Sequence, residues 1–246
     1  ETAALQTRVD GKYVVARCDL PGLLAGLPHG TRVLEIEGRR ELGYRSTYLD
    51  TPDRRSYLSS GRAQRTRWKV RNRTYLDTGD TWLETKTAGP RGRTVKQRVP
   101  HPDLPDGALS EPGTAFVSGV IGSEAARELL PVLVTAYVRS TFLLPADGAR
   151  VTVDVELGWT STVTGRDLDR PSLAVVETKT GSTPSAFDRV LWRAGHRPVR
   201  FSKYGVGMAA LDPDLPHLKW HRALDRHLAL TASTTSLTRH HARSPR

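Results

Sequence analysis

The sequence predicts a β-dominated α+β domain built on an antiparallel sheet. Segments rich in Val, Thr, Tyr and Trp recur along the 246 residues, and turn sequences such as Asp77-Thr78-Gly79-Asp80 and Asp147-Gly148 separate several of them. These segments follow one another too closely for the crossover helices of a parallel sheet. The chain is long enough to bury the core of one large domain.

Eight strands and four helices account for most of the chain. The predicted strands cover residues 9–17, 45–49, 64–76, 81–87, 94–99, 136–144, 150–159 and 173–180. The predicted helices cover residues 20–27, 123–133, 182–194 and 214–228. Ser123 and Ser182 are suitable N-caps, and Gly195 follows the third helix as a stop signal. We expect one domain over residues 1–220 and a basic tail over 221–246, disordered after about residue 231.

Composition narrows the classes of function. The formal charge of +11 favours an anionic partner, while sparse aromatic residues disfavour extensive stacking on single-stranded bases. The single cysteine, Cys18, excludes an intramolecular disulfide and a cysteine-rich zinc site. We find no signal peptide and no apolar run of the roughly 20 residues that a membrane helix needs, so we expect a cytoplasmic protein. The glycine-rich phosphate loops and the zinc-protease and serine-hydrolase motifs are also missing.

The polar positions of the predicted strands are charged to an unusual degree. In the segment from Arg67 to Arg73, four cations share one face by the two-residue period of a strand. Other same-face pairs are Lys96 with Arg98, Glu84 with Lys86, Asp154 with Glu156, and Glu177 with Lys179. A solvated sheet face explains any one of these strands. Four like charges in a row, however, repel one another unless an anion or carboxylates lie among them.

The few lysines of the chain also indicate an anion-binding site. Only seven of the 37 basic residues are lysines, and six of the seven fall in or near predicted strands with other charges around them. A lysine kept in an arginine-rich chain suggests a site that needs a compact point charge. Phosphate oxygens accept hydrogen bonds from both kinds of side chain. If the sheet closes, these cations would line a tunnel that suits a phosphorylated ligand.

Eight sequence blocks resemble those of a known superfamily, the triphosphate tunnel metalloenzymes. The blocks are YRSTYLDTPD (44–53), KVRNRTY (69–75), WLETKT (82–87), TVKQRV (94–99), VRSTF (138–142), ARVTVDVEL (149–157), VVETKT (175–180) and RFSKYGVG (200–207). The resemblance is closest to the VTC domain, the polyphosphate polymerase domain of the vacuolar transporter chaperone complex, and to its bacterial relatives. It runs from about residue 8 to residue 211. It implies a closed antiparallel β-barrel, the triphosphate tunnel fold, with a few flanking helices.

The resemblance also implies roles for individual residues. The expected catalytic cations are Lys12, Arg71, Arg73, Lys86, Lys96 and Arg139. The expected substrate-binding residues are Arg150, Ser202 and Lys203, and Lys69 is added because it is in register with the same face of its strand. Glu177, aided by Glu156, is expected to bind Mn²⁺ or Mg²⁺. One departure stands out: where the superfamily begins with Glu-x-Glu-x-Lys, this chain has Arg8-Val9-Asp10-Gly11-Lys12, which disfavours simple triphosphatase chemistry.

The function implied by the resemblance is a phosphotransferase that moves the terminal phosphate of ATP onto a polyphosphate chain. Two alternatives remain open with the same fold: hydrolysis of triphosphate or short polyphosphate, and non-catalytic binding of polyphosphate or an inositol phosphate. ATP and polyphosphate are the expected partners, together with a membrane-associated partner subunit. Nucleic acid is not an expected partner, because no nucleic-acid-binding motif is present.

Overall fold

Ten strands form one antiparallel sheet in the computed structural model, which describes residues 9–89 and 94–228. They are β1 (Val9–Ala16), β2 (Arg32–Val33), β3 (Leu42–Asp50), β4 (Trp68–Tyr75), β5 (Thr81–Ala88), β6 (Thr94–Pro100), β7 (Leu130–Leu144), β8 (Ala149–Ser161), β9 (Asp167–Arg170) and β10 (Leu173–Thr180). Eight follow the order β1-β10-β8-β7-β3-β4-β5-β6, while β2 lies beside β7 and β9 beside β8. The β-dominated antiparallel architecture is confirmed, and each predicted strand overlaps an observed one.

The expected closure into a barrel is wrong. The sheet ends at β1 on one side and at β6 on the other, and the described residues of these two strands do not pair. Strand β6 suits an open edge, because nearly all its side chains are exposed and they include Lys96 and Arg98. Charged side chains on an edge strand disfavour pairing with a further strand.

The open sheet nevertheless curls so that its two ends approach each other. Lys12 of β1 lies close enough to Lys69 of β4 and Lys86 of β5 to repel both electrostatically. We call the face that carries these three lysines the inner face. Paired positions of neighbouring antiparallel strands share a face, so the register assigns the other inward positions of the sheet.

A β-bulge interrupts the alternation in β8. The register between β7 and β8 shifts between Ala136 and Val138, and Glu156 adopts a left-handed conformation with φ of 53°. Asp154 lies on the inner face opposite Arg139, whereas Glu156 is exposed and forms an ion pair with Arg17 at 3.3 Å. The bulge therefore separates two carboxylates that a regular strand would place on one face.

Seven α-helices accompany the sheet in the described part of the chain. They are α1 (Leu20–Ala25), α2 (Arg55–Gly61), α3 (Glu111–Ile121), α4 (Ser123–Arg127), α5 (Ala186–Arg193), α6 (Lys203–Leu211) and α7 (His221–Ala223). Helices α1 and α5 pack on the outer face of β1, β10 and β8, and α3 and α4 pack on the outer face near β4 and β5. Helix α6 contributes to the core that fills one part of the inner face.

Three of the predicted helices differ from those observed. The one predicted over 214–228 is helical only from Leu218, as a 3₁₀ turn (Leu218–Trp220), α7 and a π-helical turn (Leu224–Leu228). The helix predicted over 123–133 ends at Arg127, because Val132 and Leu133 are fully buried in β7 and the sheet core takes precedence over helix propensity. The third helix starts at Ala186, not near Ser182. There Ser185 and Asp188 form a capping box, which satisfies the free backbone amides better than Ser182 alone.

Some residues after 220 also pack on this core. Ala223, Leu224 and Leu228 are buried in the same core as α6. The part of the predicted tail from 229 onwards lies outside the described residues. None of the described helices has the length and apolar character needed to cross a membrane.

Candidate functional site

The inner face gathers cations from six strands and from the start of α6. The cluster, which we call the basic cluster, contains Lys12, Lys69, Arg71, Arg73, Lys86, Lys96, Arg139, Lys179 and Lys203 around the carboxylates Glu84, Asp154 and Glu177. The two-residue alternation of the strands places most of these side chains on the inner face. Residues 69, 71 and 73 of β4 project to one side, and their register partners on β5 are residues 86, 84 and 82.

Glu84 holds three of these cations. Arg71 donates to Glu84 Oε2 through Nε at 2.8 Å and Nη2 at 2.6 Å, and Lys96 donates to Oε1 at 2.5 Å. Arg73 lies 3.9 Å from the same carboxylate, whose side chain is fully buried. Burial acts to raise the pKa of Glu84, but Arg71, Arg73 and Lys96 outweigh it and the pKa is lowered. Glu84 is therefore ionised and fixes the heads of its partners.

Asp154 plays the same part on the other side of the cluster. Arg139 donates to its two oxygens at 2.5 and 2.8 Å, and Lys203 Nζ donates to Oδ2. Burial acts to raise the pKa of Asp154, but Lys203 and Arg139 lower it to about 2. A buried carboxylate between two cations orients both of them.

Helix α6 points its N-terminus into the cluster. Ser202 caps the helix by accepting from the Gly205 amide, and its hydroxyl also accepts from Lys69 Nζ at 2.9 Å. Lys12 Nζ donates to the carbonyl of Phe201. The free amides and the dipole of a helix N-terminus favour anions, so α6 adds to the positive field of the side chains.

A second contact network holds α6 in this position. Tyr204 donates its hydroxyl to buried Asp50, which also accepts from the amides of Ser56 and Tyr57 at the start of α2. The indole of Trp159 donates to the Lys203 carbonyl at 2.9 Å. Asp50, which belongs to one of the recognised sequence blocks, thus has a structural role.

Tyrosines line the floor of the cluster. Arg71 donates to Tyr48 Oη at 2.9 Å, and Arg73 donates to Tyr137 Oη at 3.3 Å. Lys203 lies 4.3 Å from the centre of the Tyr137 ring. Burial acts to raise the pKa of the Tyr137 hydroxyl, yet Arg73, Arg139 and Lys203 outweigh it and the pKa is lowered. The rings support the cations through their π faces.

The cations of the basic cluster outnumber its carboxylates, and two of its lysines have lowered pKa values. Burial, followed by repulsion from Lys12, Lys219 and Arg71, lowers the pKa of Lys69 to about 7. Repulsion from Arg71, followed by burial and repulsion from Lys12, holds the pKa of Lys86 well below its usual value. An anion placed among these groups would relieve the repulsion.

Glu177 is the carboxylate that fits a metal ion best. It faces Lys12 across the β1–β10 ladder, and Lys179 lies 3.3 Å from it. Burial acts to raise the pKa of Glu177, but Lys12 and Lys179 lower it to about 2, so the group is ionised. Among the described residues, no group of three or more His, Cys, Asp or Glu side chains could hold a metal. A divalent ion held by Glu177 would need oxygen ligands from other sources, such as a bound phosphate or water.

Two expected site residues do not join the cluster. Glu156 points outwards at the bulge and pairs with exposed Arg17. Arg150 is exposed at the rim, opposite Lys179 in the ladder between β8 and β10. The other expected residues are brought together. Sequence reasoning missed Glu84, Asp154 and the tyrosines as parts of the site; their same-face alternation was the available signal, but it does not show which side chains touch.

The comparisons with known proteins agree with this geometry. Residues 7–212 match the VTC domain family model. No curated protein is similar enough in sequence to match. The structure aligns with a candidate adenylyl cyclase from Hippeastrum, described as having a dominant triphosphatase activity, with a TM-score of 0.53 and 14% identity, over 87% of this chain and 99% of that chain. It also aligns with a candidate adenylate cyclase from Bacillus halodurans, with a TM-score of 0.52 and 14% identity, over 80% and 94% of the two chains.

At these identities the solved structures show a shared fold. The family model, in contrast, matches a sequence pattern that covers most of the chain and contains every strand of the basic cluster. The chain therefore belongs to the VTC domain family.

Proposed function

We propose that the basic cluster binds phosphate chains and transfers the terminal phosphoryl group of ATP onto the end of an inorganic polyphosphate chain. The observation that carries this proposal is the surplus of cations on the inner face. Buried Glu84 and Asp154 orient the cations without neutralising them all. Burial and then repulsion between cations lower the pKa of Lys69, and repulsion from Arg71 and then burial lower that of Lys86. A linear polyanion supplies the missing negative charge at several points at once.

In this proposal the phosphates of ATP lie among Arg71, Arg73, Lys86, Lys96 and Arg139. A terminal oxygen of the polyphosphate chain attacks the γ-phosphorus in line. The bond from that phosphorus to the β–γ bridging oxygen breaks, and ADP leaves with the electron pair. Such a reaction needs positioning and charge stabilisation more than a dedicated base, and oriented cations provide both.

Ser202, Lys203 and Lys69 would hold the polyphosphate at the N-terminus of α6. Lys203 is fixed by Asp154, and Lys69 is fixed by Ser202, so neither has to be ordered when the substrate binds. Glu177 would hold a Mn²⁺ or Mg²⁺ ion that arrives with the substrate and offsets charge on the transferred phosphate.

The second candidate reaction is hydrolysis of triphosphate, with water as the acceptor. The shared fold with the Hippeastrum protein, described as a triphosphatase, favours it. The first strand favours transfer instead. On β1, Asp10 shares the inner face with Lys12 and lies opposite Lys179, but it is exposed. Among its described residues β1 therefore offers one exposed carboxylate, where the resemblance leads us to expect two glutamates in the hydrolytic members.

The test is to incubate the purified protein with ATP and Mn²⁺ and to separate the products on a gel. We expect long phosphate chains and ADP. Lys203→Ala should lose most of this activity and still fold, because Arg139 remains to pair with Asp154. Arg166→Ala, in the exposed turn between β8 and β9, is the matched control and should retain activity. Orthophosphate without chains would show hydrolysis instead, and full activity in Lys203→Ala would contradict the assigned site.

A further inference from the structure

A row of cations continues from the basic cluster past Lys69. Arg67 stands two positions before Lys69, and its carbonyl accepts a hydrogen bond from the Ala88 amide at 3.2 Å. That bond continues the pairing of β4 with β5 by one residue, and the Arg67 guanidinium donates to the Gln64 carbonyl at 2.8 Å. The charges of Lys219 and Arg67 contribute to the lowered pKa of Lys69.

Lys219 and Arg200 reach the same place from the C-terminal part of the chain. Lys219 Nζ donates to the carbonyl of Ser60 in α2 and lies 5.4 Å from the centre of the Trp220 ring. Arg200 is exposed two residues before Ser202, the partner of Lys69. The backbone before it is anchored as well, because the Val199 amide donates to the Lys12 carbonyl at 2.7 Å. We call Arg67, Lys219 and Arg200 the basic strip.

The basic strip lacks the acidic partners that several other surface arginines have. Arg17, Arg39, Arg40, Arg45 and Arg55 each form an ion pair with an aspartate or glutamate. Within the described ranges, no carboxylate lies at ion-pair distance from any member of the strip. Burial, followed by repulsion from Arg67 and Arg200, lowers the pKa of Lys219. Like charges held together by backbone contacts, without counter-ions of their own, suit an external anion.

We infer that the basic strip extends the phosphate-binding site and takes up the part of a long linear phosphate chain that projects beyond the basic cluster. This inference rests on the proposed function. A linear polyphosphate carries a negative charge on every unit, so it can contact the basic cluster and the basic strip along one continuous path. A triphosphate ends inside the cluster and gains nothing from the strip.

The extension gives the bound chain a direction. Its reacting end lies among the arginines of the basic cluster, and its far end leaves past Lys69 and Arg67. The strip then acts on affinity for long chains and on product length, not on the transfer step itself.

The test compares two probes, tripolyphosphate and a size-fractionated long-chain polyphosphate, on the full chain by equilibrium binding. The variants are Arg67→Gln, Arg200→Gln and the pair together, with Arg166→Gln as a control of equal charge change. We expect each strip substitution to weaken long-chain binding roughly three- to fivefold. The salt dependence of that binding should also become shallower. Tripolyphosphate binding should stay unchanged, as should both probes with Arg166→Gln.

Three other outcomes would overturn the inference. Unchanged long-chain binding would show that the strip does not contact the chain, and the proposed function would stand. An equal loss for both probes would show a general charge effect and no extension. With duplex DNA as an additional probe, a loss equal to that for long-chain polyphosphate would show an unspecific polyanion surface. Failure of the wild-type protein to bind either phosphate probe would instead contradict the proposed function itself.

Discussion

At the scale of single residues, Glu84 is the carboxylate with three cationic side chains within 4 Å. It is fully buried between Arg71 and Lys96, with Arg73 close by. Glu84→Gln would leave these cations without their common counter-ion, and removing one partner of a buried ion pair costs about 3 to 5 kcal/mol. We therefore expect a marked fall in the free energy of unfolding, measured by urea denaturation.

The matched control for this change is Glu35→Gln, since Glu35 pairs with Arg40 at the surface where both side chains are largely exposed. Its effect should stay within about 0.5 kcal/mol. Saturating tripolyphosphate should restore much of the stability lost in Glu84→Gln, because the ligand replaces the missing negative charge. Equal losses in the two variants would refute the role assigned to Glu84.

Lys69 predicts a pH dependence of phosphate binding. The pKa of its ammonium group is about 7 in the free protein, and a bound polyanion would raise that pKa. Binding then takes up a proton, so affinity is greatest below about pH 7 and falls as the pH rises towards 9. Calorimetry in two buffers of different ionisation enthalpy measures the proton uptake.

Lys69→Met provides the reference for that measurement. Titration of the phosphate ligand itself is the same for both proteins, so the difference between them isolates the lysine. We expect the variant to bind more weakly at low pH and to show a shallower pH dependence. Identical slopes for the two proteins would mean that Lys69 does not gain a proton on binding.

At the scale of structural elements, the position of α6 depends on close packing at its glycines. A Cβ atom at Gly205 would lie 2.2 Å from the Trp220 ring, whereas one at Gly119 in α3 would meet nothing within 4 Å. Gly205→Ala should therefore cost roughly 1–3 kcal/mol by overpacking and should weaken tripolyphosphate binding by moving Ser202 and Lys203.

Gly119→Ala is the control in a comparable helix, and it should be neutral or stabilising by up to about 1 kcal/mol. Thermal unfolding and tripolyphosphate binding of the two variants test the prediction together. Unaltered binding in a destabilised Gly205→Ala variant would show that α6 does not position the cluster.

The strands also show how far sequence reasoning reaches. The two-residue alternation is unbroken in β4 and β5, so the inward direction of Lys69, Arg71 and Lys86 could be predicted. It fails at Glu156, because a bulge adds a residue that no propensity reveals. Burial explains another error. The helix predicted to reach Leu133 stops early because that leucine is buried in the core as part of β7.

At the scale of the whole molecule, the prediction of closure failed and the prediction of a convergent site did not depend on it. Whether β1 and β6 pair cannot be predicted from the sequence of either strand alone, and in the structure their described residues do not pair. The curl of the open sheet is enough to bring Lys12 near Lys69. The C-terminal segment completes the site, since α6 carries Ser202 and Lys203 between β4 and β8. Contacts between such distant segments have no signal in a local sequence pattern.

The central claim is that this convergent cluster binds a phosphate chain, and a crystal structure with tripolyphosphate and Mn²⁺ tests it most directly. We predict one tripolyphosphate on the inner face, with its oxygens in contact with Arg71, Arg73, Lys86 and Arg139 and with the metal bound to Glu177. The account would be contradicted by an inner face free of tripolyphosphate in crystals that hold the ligand elsewhere on the protein.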